Sequence, residues 1–300
     1  MSFSLNAWFE SEKTGQWGAS PVHTNTLDVL FYRKISAEHA AERLLSDVNL
    51  RDSTQENAWG FWNLLFHAAA SLPDHVDVLV QLILAIRQAE ASPEGPNKLT
   101  QSLWSSWDDA HSFYYTWRTL DSSKSDLSSD NLTGADRWIN FTSFSAKLVQ
   151  QGDEMFMREC GIQAFFDIRD TLETTLFSHA NTLLPHSITS AEECLTTDIE
   201  AAACWIIHGG SKLQSVSNES FGSGWSRGLS RKTEFWDGEP GFSTDRWHFW
   251  AQRLETLAKE EFMSERAKEP VTKAVKLIEE VARAPIWSIA KEPCAISDCK

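Results

Sequence analysis

Ser190-Ala191-Glu192-Glu193 opens a run that passes through Ala201-Ala202-Ala203-Cys204-Trp205-Ile206-Ile207-His208 and meets Gly209-Gly210. Serine followed three residues later by glutamate is a capping box: the hydroxyl takes the N3 amide, and the glutamate reaches back to the cap amide. A glycine pair is a helix stop. The stretch predicts a helix from Ala191 to His208, and the rest of the chain repeats its grammar.

Upstream, residues 25–48 carry Leu27, Leu30 and Phe31, then Leu44, Leu45 and Val48, with a restart at Ser36. Residues 54–71 place Trp59, Trp62, Leu65, Phe66 and Ala69 at three- and four-residue spacing, with Thr54 as cap and Pro73 as terminator. His75 to Glu90 is apolar most of the way round, which predicts central burial. Pro93 and Pro96 mark a break. Leu103 to Leu120, Thr133 to Gln151, and Glu154 to Phe177 read as helices, separated by a Ser/Asp-rich loop at 121–130. Downstream, residues 211–242 hold five of the 14 glycines and no sustained period. A loop that long is a lid, a binding loop or disorder, and Phe221, Trp225, Phe235 and Trp236 argue against disorder. Helical pattern resumes from Ser243 to Ser264. Pro270 suits the first turn of a last helix, and residues 286–300 read as a tail packing through Trp287. No strand alternation and no βαβ rhythm appears. The expectation is a single all-α domain over residues 1–300, of nine to ten helices.

The chain has 300 residues and a formal net charge of −15, spread evenly along its length. A net-acidic surface repels a phosphate backbone, so nucleic acid is not the expected partner. No apolar run reaches the length of a membrane span, and the first ten residues lack the basic and apolar regions of a signal peptide. Five cysteines, an odd and small number, fit a cytoplasmic protein with reduced thiols.

Fourteen Trp against three Tyr is abnormal. It implies either a core of large side chains or an aromatic-lined pocket. The standard catalytic signatures are missing: no G-x-S-x-G, no Walker loop, no H-E-x-x-H and no C-x-x-C. Gly222-x-Gly224-x-x-x-Gly228 has the wrong spacing for a phosphate loop. Cys204-x-x-x-His208 is two ligands where structural zinc wants four, so neither a metal nor a cofactor is expected. Asp108-Asp109 lacks the later carboxylate of a magnesium-diphosphate clasp. Asp167, Asp170 and Glu173 share one helix strip that reads as a solvated face. His67, His75, His111, His208 and His248 are acid–base candidates by type. Asp136-Arg137-Trp138-Ile139-Asn140 and Asp245-Arg246-Trp247-His248-Phe249-Trp250 each open a helix with a dipole-favoured Asp followed by aromatics.

The Trp59–Pro73 segment followed by His75-to-Arg87, Trp138-x-Asn140-x-x-x-Phe144-x-Ala146-x-Leu148, Ala202-Ala203-Cys204-Trp205-Ile206 and Arg246-Trp247-x-x-Trp250 together resemble a fungal family known mainly as a domain of unknown function. The resemblance spans about residues 25 to 285, and the sequence departs from the family pattern after Asn140, where Phe-Thr-Ser stands. Members often lie beside secondary-metabolite genes, which implies work on a polyketide or terpenoid intermediate.

The function expected from these readings is a cofactor-independent cyclase or pericyclase, such as an intramolecular Diels–Alder catalyst, acting on an apolar small molecule. Its walls are expected to be Trp62, Trp107, Tyr114, Trp138, Trp205, Trp247 and Trp250, its donors His111, His208 and Arg246, and its lid the 211–242 loop. The alternatives are a helical interaction scaffold and a metal-dependent terpenoid enzyme using Asp108 and Asp109.

Overall fold

A computed structural model describes residues 5–12, 19–47, 55–91, 98–119, 132–181, 189–216, 221 and 223–283. Thirteen helices and no strand are present among them. They are α1 (Leu5–Glu12), α2 (Pro21–Phe31), α3 (Ala37–Leu45), α4 (Gln55–Ser71), α5 (Val76–Glu90), α6 (Lys98–Trp117), α7 (Gly134–Gln150), α8 (Ile162–Leu172), α9 (Leu176–Ala180), α10 (Ala191–Ser215), α11 (Ser226–Leu229), α12 (Thr244–Leu257) and α13 (Glu265–Arg283). The all-α expectation holds. The count exceeds nine to ten because α1, α9 and α11 are too short to show a period. The expected cap Thr54, the 121–130 loop and the 286–300 tail lie outside the described residues.

Capping chemistry places the helix starts. Ser190 accepts from the Glu193 amide while Glu193 returns to the Ser190 amide. Thr133 and Asp136 make the same reciprocal pair at α7. Ser20, Ser36 and Ser243 cap α2, α3 and α12.

The centre of the molecule is α10, not the His75–Glu90 segment. Every residue from Cys194 to Ala203 is buried, and α7 and α13 pack along this helix more extensively than any other pair. The segment that looked uniformly apolar is two-faced. Asp77 and Gln81 are exposed on α5, while Leu79, Val80, Leu82 and Ile83 are buried. Alanines explain the exchange: α10 is less hydrophobic per residue, but its small side chains let neighbours approach on all sides.

Gly209-Gly210 does not stop α10, which continues to Ser215. A Cβ on Gly209 would lie 3.3 Å from the Ala146 carbonyl oxygen and 3.4 Å from Val149 Cγ1. The glycine is there for a close crossing with α7. Its neighbour Gly210 has only ordinary contact, with Ile206 Cγ2 at 3.7 Å.

The expected Glu154–Phe177 helix is divided. A turn at Glu154–Phe156 leads into a π-helical segment, Met157–Gly161, and then α8. After α8 the chain breaks at Glu173 and restarts as α9, capped by Thr175. The final helix also starts earlier than Pro270 suggested, at Glu265, so the proline sits inside it. Within the expected long loop, α10 absorbs residues 211–215, and a 3₁₀ turn (Ser223–Trp225) and α11 follow. Gly241 then adopts a φ of 68° to turn the chain back, its N–H donating to the Leu229 carbonyl.

Two neighbouring substitutions should therefore behave oppositely in urea unfolding. Gly209→Val drives α7 from α10 and should cost about 1–3 kcal/mol. Gly210→Ala relieves a helix-interior glycine and should be neutral or stabilising by up to about 1 kcal/mol. Equal effects would contradict the crossing.

Candidate functional site

A cleft of about 900 Å³ opens between α6, α8, α9, α10 and the segment 231–234. Most of its lining residues carry polar groups, including His111, Asp167, Arg169, His179, Asp198 and Glu234, and Tyr115 and Trp138 add aromatic surface.

His111 and Asp167 form its most ordered pair. His111 Nε2 lies 3.2 Å from Asp167 Oδ2. Trp205 Nε1 donates to the same oxygen at 2.9 Å, and Gln163 Nε2 donates to Oδ1 at 3.0 Å. An indole N–H can only donate, so Oδ2 is presented as an acceptor, and the imidazole hydrogen belongs on Nε2. Nδ1 is then the ring's proton-accepting atom. The ring itself is held by aromatics: Trp138 edge-on at 5.0 Å, Trp107 at 5.2 Å, and Tyr115 parallel at 6.4 Å. The ring contacts fix the orientation of His111, and the Asp167 acceptor favours the tautomer with hydrogen on Nε2.

A second carboxylate lies across Tyr115. Arg118 Nε donates to Asp198 Oδ1 at 2.7 Å and Nη2 to Oδ2 at 3.1 Å. His179 Nε2 stands 3.0 Å from Oδ2. Burial works against the charge, but Arg118 and His179 outweigh it and hold the Asp198 carboxyl below its ordinary range. The Tyr115 hydroxyl is pushed up to about 12 by burial and by the carboxylates of Asp198 and Asp167. It remains a neutral donor across the physiological range. The Arg118 guanidinium lies 3.6 Å from the centre of its ring.

The expected site residues scatter. Trp107, Trp138 and Trp205 converge on the His111–Asp167 pair, but only Trp138 lines the cleft. Trp62 is core, donating to the Leu99 carbonyl at 3.2 Å and Ser102 Oγ at 3.1 Å. Tyr114 is core against Phe141, its hydroxyl 3.5 Å from His67 Nδ1. Trp247 and Trp250 pack on each other and on Phe242. They are part of the hydrophobic core and do not line the cleft.

Arg246 is a strut, not a donor to ligand. It is 0% exposed, as is Glu173. Its Nε and Nη2 grip both Glu173 oxygens at 2.6 and 2.7 Å. Trp250 Nε1 donates to Oε1 at 2.7 Å and Thr233 Oγ1 to Oε2 at 2.8 Å. His208 belongs to a separate groove of about 440 Å³ between α5, α7, α10 and α13. Burial, with Lys147 and Lys273 near, depresses its pKa to about 4, so it stays neutral at pH 7.

Asp108 borders the cleft while Asp109 is exposed and does not line it. The strip read as solvated is mostly not: Asp167 is buried in the cleft, Glu173 is in the core, and only Asp170 is exposed. His179 and Asp198 escaped notice because they come from different helices. The one local trace is Cys194-x-x-x-Asp198, a thiol and a carboxylate one turn apart.

Residues 62–254 match a family described as Protein of unknown function (DUF3632). The chain belongs to that family. The match runs from α4 into α12 and contains His111, Asp167, Glu173, His179, Asp198 and Arg246. No curated protein and no solved structure matches the chain. Among the described residues, no single helix is long and apolar enough to cross a membrane.

Arg246→Ala leaves Glu173 charged, buried and unpaired. It should cost about 3–5 kcal/mol in chemical unfolding; a near-neutral variant would contradict the strut. His208 has its folded pKa depressed, so on acidification from pH 6.5 toward 4 the unfolded chain takes the proton first and stability falls. His208→Gln should lose less stability over that window than the wild type. Equal losses would show that His208 is not held neutral.

Proposed function

We propose that the chain is an isomerase or cyclase that works by proton transfer in the α6–α8–α10 cleft, on a small oxygenated molecule. The observation that carries this is the His111–Asp167 pair, an imidazole fixed in one tautomer at the wall of a cleft large enough for a substrate. Asp167 fixes the Nε2–H tautomer and stabilises the imidazolium that forms when Nδ1 takes a proton. Returning that proton to a different atom of the substrate moves a double bond or triggers ring closure. The Tyr115 hydroxyl is suited to donate a hydrogen bond to a carbonyl oxygen as charge develops there.

The lining supports one substrate class over another. A dry aromatic cavity suits a pericyclic reaction of an apolar chain, and of the seven aromatics expected as walls only Trp138 meets the cleft. The carboxylates, imidazoles and hydroxyls around it favour a ligand with several oxygens. A polyketide or an oxygenated terpenoid satisfies that requirement, with Trp138 and Tyr115 covering its apolar part.

The test is solvent exchange. Purified protein is incubated in D₂O with a panel of oxygenated polyketide and terpenoid intermediates, and deuterium uptake is followed by mass spectrometry. The wild type should label at least one compound and convert it to an isomer. His111→Gln should slow labelling by roughly 10²–10⁴-fold with native circular dichroism. Labelling unaffected by His111→Gln, or none with any compound, would contradict the reading.

A further inference from the structure

We propose that His179, Cys194 and Asp198 bind a divalent metal of zinc type at the inner end of the cleft. Among the described residues, this is the one group of three or more such side chains whose ligand atoms all lie within 4.8 Å of one another, and all three residues are buried. Two of the separations are 3.0 Å (His179 Nε2 to Asp198 Oδ2) and 3.9 Å (Cys194 Sγ to the same oxygen). Bonds of the usual zinc lengths put tetrahedral ligands about 3.3–3.8 Å apart, so these atoms need only small shifts to share an ion.

The framework is rigid where it must be. Cys194 and Asp198 stand four residues apart on one face of α10, within its fully buried stretch Cys194–Ala203, and are positioned by the Ser190–Glu193 cap. His179 comes from α9, which packs against α10. Arg118 Nε holds the far oxygen, Oδ1, at 2.7 Å, which leaves Oδ2 facing the imidazole and the thiol. A metal here replaces the contacts that now meet at Oδ2, those of Arg118 Nη2 at 3.1 Å, His179 Nε2 at 3.0 Å and Cys194 Sγ at 3.9 Å.

The donor set selects the ion. Thiolate, imidazole and carboxylate together suit zinc or cobalt rather than magnesium or calcium, which want oxygen alone. Three protein ligands leave a fourth position, the arrangement of catalytic rather than structural zinc. His179 and Asp198 line the cleft, so an ion that they hold borders the substrate space. A metal there can take a carbonyl oxygen or a water as its fourth ligand. A cysteine ligates metal as the thiolate and is mostly a thiol at neutral pH, so binding there releases a proton.

The other candidate groups lack this geometry. Asp108 and Asp109 are exposed oxygens without a third ligand, and Cys204 and His208 form no such cluster.

The probe is Co²⁺ added to the reduced full-length protein and followed by absorption. One Co²⁺ per chain should bind, with a thiolate charge-transfer band in the near ultraviolet and the strong visible bands of four-coordination, both abolished by excess Zn²⁺. Cys194→Ser should lose the charge-transfer band while keeping native circular dichroism. His179→Ala and Asp198→Asn should each weaken binding by about tenfold or more. Should a variant fail to fold, calorimetry on the wild type in two buffers of different ionisation enthalpy reads the same claim as proton release on Zn²⁺ binding. No saturable cobalt spectrum, a spectrum unchanged in Cys194→Ser, or binding without proton release would each overturn the site. No substrate enters these measurements, so their failure leaves the proton-transfer reading of His111 standing, and failure of that reading leaves this site standing.

Discussion

Glu173 and Arg246 are the constraint on which the cleft depends. A buried ion pair repays its desolvation only when its geometry is good and its remaining hydrogen-bonding capacity is met. Here the guanidinium grips both carboxylate oxygens, and Trp250 and Thr233 supply two further donors. Three parts of the chain are tied at one point: the end of α8, the start of α12 and the segment leading to Gly241. Consequences run outward from there. Thr233 is held on Glu173, so its neighbour Glu234 reaches the Thr175 amide at 2.8 Å and the Ser178 hydroxyl. Those contacts secure the first turn of α9, and α9 carries His179 to Asp198. One wall of the cleft is therefore built from the irregular segment 231–234.

Helix identity was legible in the sequence because it is local. Ser190 with Glu193 and Thr133 with Asp136 mark helix starts by side-chain chemistry that acts over three residues. Central burial was not legible, because it depends on which helices meet. Hydrophobicity pointed to α5, whereas closeness of approach selects α10 with its alanines and Gly209. The same reasoning explains the misread stop: a glycine that ends one helix and a glycine that lets another cross look identical in sequence.

The candidate site divides along the same line. His111, Trp107, Trp138 and Trp205 could be singled out by type, and the structure brings the three tryptophans to the His111–Asp167 pair. Arg246 and Asp167 exchange their expected roles. The arginine preceding two tryptophans is a buried strut, and the aspartate on an apparently solvated strip orders the imidazole. No spacing rule could have shown this, because Asp167 acquires its meaning from His111, 56 residues away, and Trp205, 38 away. The abundance of tryptophan has a plain explanation in part: Trp62, Trp247 and Trp250 are core side chains, and the polar ends of Trp62 and Trp250 find acceptors inside it.

Two carboxylates on neighbouring helices, each beside an imidazole, give the cleft unequal ends. At one, Asp167 is paired with His111 and takes no lysine or arginine among the described residues, which suits the proposed proton transfer. At the other, Arg118 neutralises Asp198 and His179 is drawn toward a thiol. Proton transfer by His111 requires its hydrogen on Nε2 and Nδ1 as the base. Long-range ¹H–¹⁵N correlation of the histidine rings at neutral pH measures this directly. The prediction is an unprotonated, pyridine-like Nδ1 for His111 in the wild type, with that tautomer preference lost in Asp167→Asn. A His111 ring protonated on Nδ1, or a spectrum indifferent to Asp167→Asn, would contradict it.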